Sequence, residues 1–320
     1  MPEPLENVVS AELVAVLVAV TRGEPRVLVR SGEGSLDTKV KYDGLPSGAF
    51  QPGHRSLQAG MRAWVEAQTH HPLGYVEQLY TFADLDRFDE SGPRAISVSY
   101  LGLTRETDAL TGSRAVWHDW YRYFPWEDHR RQEPAVLADF IVPRLRAWVS
   151  GTSDATLRAT REQRLAGVFG LDGAPWNEDM VLQRYELMYE AGLVPEAVRH
   201  TPSAAHDAVP GEPMRTDHRR ILATGIARLR AKIKYRPVVF ELMPAEFTLL
   251  QLQQTVEALA GRDLHKQNFR RLVEQQNLVE ETGGMAAAGA GRPAKLFRFR
   301  GDLLTERAIS GSKLPLSRQA

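Results

Sequence analysis

The stretch EFTLLQLQQTVEALAGRDLHKQNFRRLVEQQ, residues 246–276, decides the fold of the C-terminal part of the chain. Thr248 can cap a helix, and Gln251 three residues later completes a capping-box pattern. Apolar residues then recur at the spacing of one helix face, and Gly261 can end that helix. A short turn precedes a second helix, which we expect over 266–276. Two short helices joined by a tight turn predict a helix-turn-helix.

The residues that follow predict a β-hairpin. Residues 278–282 are typical of a strand, 283–295 form a glycine-rich loop, and apolar and basic residues alternate over 296–300 as in a two-faced strand. Helix, turn, helix and hairpin together make a winged helix. Winged helices bind DNA, but they also serve as protein–protein interaction modules, and the pattern alone leaves both uses open.

The second helix is expected to present a polar face to DNA. Phe269, Leu272 and Val273 should face the core, and the opposite face carries arginine and glutamine side chains that can reach base edges in the major groove. Basic residues on this helix and in the hairpin can neutralise phosphates. The predicted DNA-binding residues are Lys266, Gln267, Asn268, Arg270, Arg271, Arg292 and Lys295.

The charge of the chain is segregated along the sequence. The 320 residues carry 40 basic and 40 acidic side chains, so the net charge is zero. Residues 215–300 hold sixteen of the basic and eight of the acidic side chains, which leaves this segment at about +8 and the rest at about −8. A basic module joined to an acidic one is typical of a DNA reader attached to a sensor domain.

Composition and length exclude several classes of protein. The chain has no cysteine, which excludes disulfides, thiolate zinc sites and cysteine nucleophiles and suits a reducing cytoplasm. The sequence contains no run of eighteen apolar residues, so it predicts no membrane span. We expect a cytoplasmic protein. A length of 320 residues favours two or three domains.

The N-terminal part predicts a mixed α and β domain. Strands are expected over 14–20, 26–29, 75–82 and 95–103, a helix over 56–68, and a loop over 45–53. From about residue 126 the pattern becomes helical, with helices expected over 134–149, 154–169 and 177–191. Residues 201–213 resemble a linker. A linking helix over 217–234 should place its apolar residues inside and its arginines outside.

A polar and aromatic cluster lies between the two parts. Three tryptophans accompany several titratable side chains there, and we interpret the cluster as a solvated linker between domains rather than a metal site. Its residues are Trp117, His118, Asp119, Trp120, Trp126, Glu127, Asp128 and His129.

Several motifs together resemble the Nudix-related transcriptional regulators of NAD metabolism, the NrtR and NadQ type. In the C-terminal part the resemblance rests on 235–244, FTLLQL at 247–252, QNFRR at 267–271 and GRPAK at 291–295. In the N-terminal part it rests on QLYTF at 78–82, Asp86-Arg87 and AISVSY at 95–100. The resemblance covers most of residues 10–105 and 215–300. The usual members of this family are shorter, and the middle helical segment of this chain exceeds their length.

A working Nudix box requires several glutamates, and this chain lacks most of them. Aligned from Gly48, the pattern places His54 at the first glutamate, Ala63 and Ala67 at two others, and keeps only Glu66. A hard divalent cation needs several oxygen ligands, so we predict no metal site and no catalytic residue. Glu66 is expected to pair with Arg62 one turn away.

The resemblance implies that the degenerate domain still binds a nucleotide. No cofactor is required, and the implied effector is an adenine nucleotide: ATP, NAD or ADP-ribose. The candidate effector-binding residues are Arg94 for phosphate and Tyr80 or Phe82 for stacking, although ordinary packing explains each of them equally well.

The predicted architecture is therefore α+β. It comprises a Nudix-like α/β/α sandwich at 1–125, a helical insert and linker at 126–212, a linking helix at 213–235, a winged helix at 236–305 and a tail at 306–320. We expect a homodimeric repressor of NAD-biosynthesis genes that binds palindromic operator DNA, with dimer contacts on the apolar face of the linking helix and on the middle helices. An active Nudix pyrophosphohydrolase with a DNA-binding appendage and a winged-helix interaction adaptor are the alternatives.

Overall fold

The computed structural model describes residues 9–33, 42–69, 73–83, 95–106, 114–198, 208–286 and 293–301. Its N-terminal part is built on a seven-stranded mixed sheet with the central order β3-β2-β1-β6-β5, in which β4 also pairs with β1 and β7 with β2. β1 and β6 are parallel, and the other pairs are antiparallel. The strands are β1 Ser10–Thr21, β2 Glu24–Glu33, β3 Tyr42–Gly44, β4 Ser47–Ala49, β5 Tyr75–Phe82, β6 Ala95–Leu103 and β7 Ala115–Asp119.

A helix covers each face of this sheet. Because successive side chains of a strand point to opposite faces, β1 contributes alternate residues to two apolar clusters. Leu13 and its neighbours pack with α1 (Leu57–Thr69), and Val16 and its neighbours pack with α5 (His218–Ile233). A Cβ on Gly225 of α5 would lie 2.9 Å from Cγ1 of Val16, so glycine allows this close approach. The predicted fold class is confirmed, although the helix on the second face, α5, comes from outside the segment 1–125 to which the sandwich was assigned.

The loop expected over 45–53 contains a strand. Residues 47–49 form β4, and Glu12 to Val14 of β1 pair with them. Leu45, just before β4, is completely buried, and its backbone N–H donates to Nδ1 of His218 across 2.8 Å. This strand was not predicted for two reasons. The glycine and proline residues around it are typical of a loop, and three residues are too few to show an alternation.

The middle segment forms three helices that pack onto the rest of the chain. They are α2 Val142–Ser150, which a π-helical turn at Leu137–Ile141 precedes, α3 Ala155–Phe169 and α4 Val181–Glu190. The N-cap of α3 is Asp154, whose carboxylate accepts the N–H groups of Thr156 and Leu157. Apolar residues of all three helices belong to the same core cluster as the sheet and α5.

The polar and aromatic cluster is buried, so its interpretation as a solvated linker is wrong. Trp120 and Trp126 have no exposed surface, and Glu127 is 1% exposed. Short 3-10 turns at Trp120–Arg122 and Pro125–Glu127 direct these side chains into the core. The expectation failed because tryptophan beside charged residues is equally compatible with a wet linker and with a core that contains ion pairs.

The linking helix α5 is surrounded on most sides, which corrects two expectations. Arg219 and Arg230 are not outside but buried, and each finds a carboxylate inside the protein. Ile221, Ile226 and Leu229 of the apolar face are buried within the same chain. That face is therefore not available as a dimer contact.

The C-terminal domain is a winged helix, as predicted. It comprises α6 Leu249–Ala260, α7 Lys266–Gln275, β8 Val279–Met285 and β9 Lys295–Phe299. Thr248 and Gln251 form the predicted capping box. Phe247 exchanges two backbone hydrogen bonds with Phe297 and so adds a short third strand to the hairpin. The stacking of Phe240 on Phe299, with ring centroids 4.2 Å apart, holds the hairpin to the residues before α6.

One inward residue of α7 was predicted wrongly. Val273 is buried and Phe269 partly buried, but Leu272 is 51% exposed. At 100° per residue Leu272 lies at the border of the apolar face, where the core of this small domain does not reach. None of the described helices is long and apolar enough to cross a membrane.

Candidate nucleic-acid interface and nucleotide-binding domain

Helix α7 presents a continuous polar face to solvent. His265 precedes the helix as its N-cap, and the buried Val273 holds its inner side against the domain. The five predicted DNA-binding residues on this helix are all exposed: Lys266, Gln267, Asn268, Arg270 and Arg271. An exposed helix with cationic and amide side chains on one face has the form that enters a major groove.

Apart from the cations of α7, most basic side chains of the C-terminal segment are paired with carboxylates of the same chain. Many of its basic side chains form ion pairs with carboxylates, most of which lie in the first 200 residues. The charge segregation in the sequence thus reflects contacts between parts of one chain as well as a surface for a polyanion. The pairs are Arg215–Glu12, Arg219–Glu196, Arg220–Glu186, Arg230–Glu127, Lys232–Glu77, Lys234–Asp179 and Arg262–Glu178.

The cations of α7 differ from these. Within the described part of the chain, Lys266, Arg270 and Arg271 form no ion pair with any carboxylate. Since exposed cations without internal partners can exchange counterions for phosphates, they are the cations best placed to bind a polyanion.

The wing carries a more balanced charge. Lys295, predicted to contact phosphate, donates to both carboxylate oxygens of Glu281 on the neighbouring strand at 2.8 and 2.9 Å. Arg298 is paired with Glu280 at 2.5 Å. Both pairs are exposed, where such bridges contribute little and can exchange partners. Arg292 lies outside the described residues.

The degenerate Nudix box lies on α1 and the loop before it. Ala63, Glu66 and Ala67 are exposed along one side of α1. His54, at the position of the first glutamate, packs its ring against Gly60, where a Cβ would lie 2.6 Å from Nδ1. No group of three or more histidine, aspartate or glutamate side chains able to hold a metal occurs among the residues that the structure describes.

The expected pair between Glu66 and Arg62 does not form in the described structure. The two terminal nitrogens of Arg62 donate instead to the backbone carbonyl oxygens of Leu73 and Gly74. Backbone carbonyls offer acceptors that do not depend on ordering a flexible side chain. Arg62 therefore ties α1 to the start of β5, and Glu66 is left to solvent.

The scaffold of the box is retained although its carboxylates are not. The backbone of Gly48 lies against the ring of Trp64, so that any Cβ there would overlap the indole. Nε1 of Trp64 donates to the carbonyl oxygen of Ala49 across 2.8 Å. Nε2 of Gln68 donates to the carbonyl oxygen of Ser47 at 2.6 Å, so packing and two hydrogen bonds hold this loop and α1 together.

The candidate effector residues differ in their exposure. Tyr80 on the edge strand β5 is 59% exposed among the described residues. Phe82 is 2% exposed and packs edge-on against Tyr80, with centroids 5.1 Å apart. The guanidinium of Arg220 lies 5.3 Å from the Phe82 ring centroid, a neighbour that the sequence did not suggest. Arg94 lies outside the described residues.

A buried charged cluster joins the winged helix to the rest of the protein, and sequence reasoning missed it. Glu127 lies between two guanidinium groups: Oε1 accepts from Nε of Arg184 at 2.6 Å, and Oε2 accepts from Nη1 of Arg230 at 2.7 Å. Burial alone raises the pKa of the Glu127 carboxyl, but the two guanidiniums outweigh this effect and hold the pKa below its usual range.

Comparison with known proteins agrees with this geometry. Residues 239–299 match the family described as the NrtR DNA-binding winged helix domain. Over 83 residues, 26% of the chain, the sequence is 42% identical to the ADPR responsive transcriptional repressor NtrR of Acinetobacter baylyi. The match spans 33% of that protein's length.

Two solved structures share the fold. NrtR of Shewanella oneidensis, in a crystal structure with a 27mer DNA, gives a TM-score of 0.55 at 20% identity, covering 92% of this chain and 95% of that one. A MutT/nudix family protein from Enterococcus faecalis gives a TM-score of 0.53 at 15% identity, covering 94% and 90%. The resemblance and the fold class predicted from the sequence are thereby confirmed.

Proposed function

We propose that the chain is a transcriptional repressor that binds operator DNA through α7 and the wing, and that its Nudix-like domain binds ADP-ribose as the controlling effector. The observation that carries the proposal is the set of exposed cations on α7, which have no carboxylate partner among the described residues, whereas most cations nearby are paired. The match of residues 239–299 to a DNA-binding winged helix family supports it.

The choice of ADP-ribose among the three adenine nucleotides has a separate basis. The repressor of Acinetobacter baylyi that resembles part of this chain is described as responsive to ADPR. Tyr80 offers an exposed ring for the adenine, and Arg94 is the proposed phosphate ligand. By the same resemblance the regulated genes are those of NAD biosynthesis.

The proposed domain senses its nucleotide without cutting it. Pyrophosphate hydrolysis in a Nudix site needs carboxylates to hold Mg²⁺, and His54, Ala63 and Ala67 occupy three of those positions. A site with one exposed glutamate cannot hold the cation firmly, so the bound ADP-ribose remains intact and can act as a signal.

We also propose that two copies bind one operator. A two-fold dimer presents two copies of α7 to two half-sites of a palindrome. Since the apolar face of α5 is buried within the chain, the contact between copies involves other surfaces.

The test is fluorescence anisotropy with duplexes from the chain's own upstream region and from NAD-synthesis promoters, in the presence and absence of ADP-ribose, ATP and NAD. We expect one of these duplexes to bind more tightly than an unrelated duplex, and ADP-ribose alone to change that affinity. Binding that does not distinguish the duplexes contradicts the proposed repressor. Turnover of ADP-ribose with Mg²⁺, abolished by Glu66→Gln, contradicts the proposed sensor and favours a pyrophosphohydrolase.

A further inference from the structure

α6 packs against α5, β1 and β2, and its carboxyl end is in addition hydrogen-bonded to the rest of the chain. The last carbonyls of a helix have no partner within the helix and need donors from elsewhere. Here three of them receive donors from distant parts of the chain: Ala258 from the Tyr121 hydroxyl at 2.8 Å, Leu259 from Nε of Arg230 at 2.9 Å, and Gly261 from the N–H of His129 at 2.7 Å.

Arg230 is the centre of this contact. Its guanidinium has no exposed surface, and beyond Leu259 and the Glu127 carboxylate it donates to the carbonyl of Glu178 at 3.1 Å and to the Tyr121 oxygen at 3.3 Å. The carboxyl end of α6 carries a partial negative charge that favours a cation. One buried guanidinium thus binds a helix end of the winged helix, the segment after β7 and the loop before α4.

The middle helical segment supplies the second cation. Arg184 of α4 is fully buried, and its Nη1 donates to the carbonyls of Val168 and Asn177, both at 3.0 Å. Its guanidinium lies 3.8 Å from the ring centroid of Trp176. Two guanidiniums face one carboxylate, so the excess positive charge depends on these carbonyl dipoles and on the aromatic ring.

We propose that Glu127, Arg184 and Arg230 form a clasp that fixes the orientation of the winged helix, and that the middle helical segment exists in part to supply Arg184 to it. The three residues are positioning residues: they touch neither the DNA-facing side of α7 nor the Nudix box. The Glu127 carboxylate holds Arg230 in place, and Arg230 in turn donates to the end of α6. Any rotation of the winged helix would separate the α6 carbonyls from the buried donors of Arg230, Tyr121 and His129 and leave both sides without partners, so the clasp specifies one orientation.

The consequence for operator binding rests on the proposed function. In a dimer, the separation and angle of the two α7 helices must match two half-sites on one duplex. A fixed winged helix meets this requirement before binding, whereas a loosely attached one must be ordered as it binds and so binds more weakly.

The orientation can be measured without DNA, so the clasp can fail while the proposed function stands. The chain has no cysteine, so Val116→Cys on β7 and Leu250→Cys on α6, both exposed positions, place one pair of spin labels in each chain. Mixing with an excess of unlabelled chain removes the distances between copies. Pulsed electron resonance then gives the distribution of distances between the two domains.

We expect one narrow distribution in the parent, and at least a twofold broader one in Glu127→Gln and in Arg184→Met. The matched control is Glu190→Gln, because Glu190 also contacts two arginines, Arg161 and Arg164, but is partly exposed and does not touch the winged helix. Its distribution should equal that of the parent.

Tyr121→Phe is a milder variant that keeps the test valid if Glu127→Gln does not fold. It removes only the hydroxyl that bonds Ala258 and keeps every charge. It should broaden the distribution less than Glu127→Gln does. Unchanged widths in folded Tyr121→Phe and Glu127→Gln overturn the clasp, and an unchanged width in Arg184→Met overturns the role of the middle segment. In anisotropy titrations, the clasp variants should raise the Kd for the operator duplex without changing the slope of log K against log salt.

Discussion

Gly261 and Glu127 are in contact through their backbones, with no space for a side chain between them. Gly261 ends α6 in the left-handed conformation at φ 71°, and a Cβ built on it would overlap the carbonyl oxygen of Glu127 and lie 2.6 Å from Nη2 of Arg230. A helix-terminating glycine that the sequence predicts on local grounds thus also forms part of a contact between domains.

Gly261→Ala should therefore destabilise the protein. The left-handed conformation costs a residue with a Cβ about 1–2 kcal/mol, and the clash with buried groups adds to this. Thermal unfolding followed by circular dichroism should give a lower Tm.

Gly167→Ala is the matched control, because Gly167 lies inside α3 and a Cβ there meets nothing within 4 Å. It should stabilise by roughly 0.5–1 kcal/mol, since alanine favours a helix interior over glycine. If the two substitutions shift Tm in the same direction, the result contradicts the close contact of Gly261 with Glu127 and Arg230.

The Glu127 carboxylate should make stability depend on acid pH. Its pKa in the folded protein lies below the ordinary value of 4.5, so the unfolded chain binds more protons as the pH falls through this range. The stabilisation is complete above about pH 4.5 and is lost as the pH falls through the lower, folded value.

Glu127→Gln should accordingly cost about 3–5 kcal/mol at pH 7, because it leaves buried guanidiniums without their counter-charge. Urea unfolding of both proteins between pH 7 and pH 3 measures the difference. The difference in stability should narrow as the pH falls below about 4.5, and a difference that stays constant to pH 3 would contradict the lowered pKa of Glu127 in the folded protein.

His129 should add a second pH dependence at a higher range. Burial lowers the pKa of its imidazole from 6.5, although the Glu127 carboxylate opposes the shift. The unfolded chain therefore binds more protons below about pH 6.5, and stability should decrease as the pH falls from 6.5. His129→Gln should remove this part of the dependence in the same urea titrations, and a dependence that survives the substitution would assign it to another group.

If α7 reads bases, as proposed, replacing its arginines should reduce the discrimination between operator and unrelated DNA. Arg270→Ala or Arg271→Ala should cost roughly 1–3 kcal/mol on the operator duplex and much less on an unrelated duplex. Arg164→Ala in α3 is the control, since it removes an exposed arginine far from α7 in the sequence and should leave both affinities unchanged. Equal losses on the two duplexes would assign the arginines to phosphates instead of bases.

Restoring the carboxylates of α1 should create a metal site. Ala63 and Ala67 lie one turn apart and on either side of Glu66, and all three are exposed. Ala63→Glu with Ala67→Glu should bind Mg²⁺ detectably by calorimetry, because three carboxylates on one helix face provide the oxygen ligands that one cannot. The unchanged chain should give no such heat, and Mg²⁺ binding by it would contradict the account of the box.

Local signals in the sequence were sufficient for the winged helix. The capping box of Thr248 and Gln251 and the terminating Gly261 depend on residues a few positions apart, and each was found where predicted. The strands predicted over 14–20, 26–29, 75–82 and 95–103 were found within β1, β2, β5 and β6. The shorter strands β3, β4 and β7, of three to five residues, were not predicted, because so few residues give no recognisable pattern.

The clasp could not be predicted in this way. Glu127 and Arg184 are 57 residues apart, and Glu127 and Arg230 are 103 apart. An arginine on an amphipathic helix is most often exposed, and nothing local distinguishes Arg230 from Arg228, which is exposed. Only the tertiary arrangement brings the two cations to one carboxylate.

The most direct test of the account is the salt dependence of duplex binding by the chain and by Lys266→Ala. Anisotropy titrations of the operator duplex between about 50 and 200 mM salt should give a log–log slope that Lys266→Ala makes shallower by about 0.9 for each subunit bound. A protein that ignores duplexes at the lowest salt, or a slope that the substitution leaves unchanged, would contradict the assignment of α7 as the surface that meets DNA.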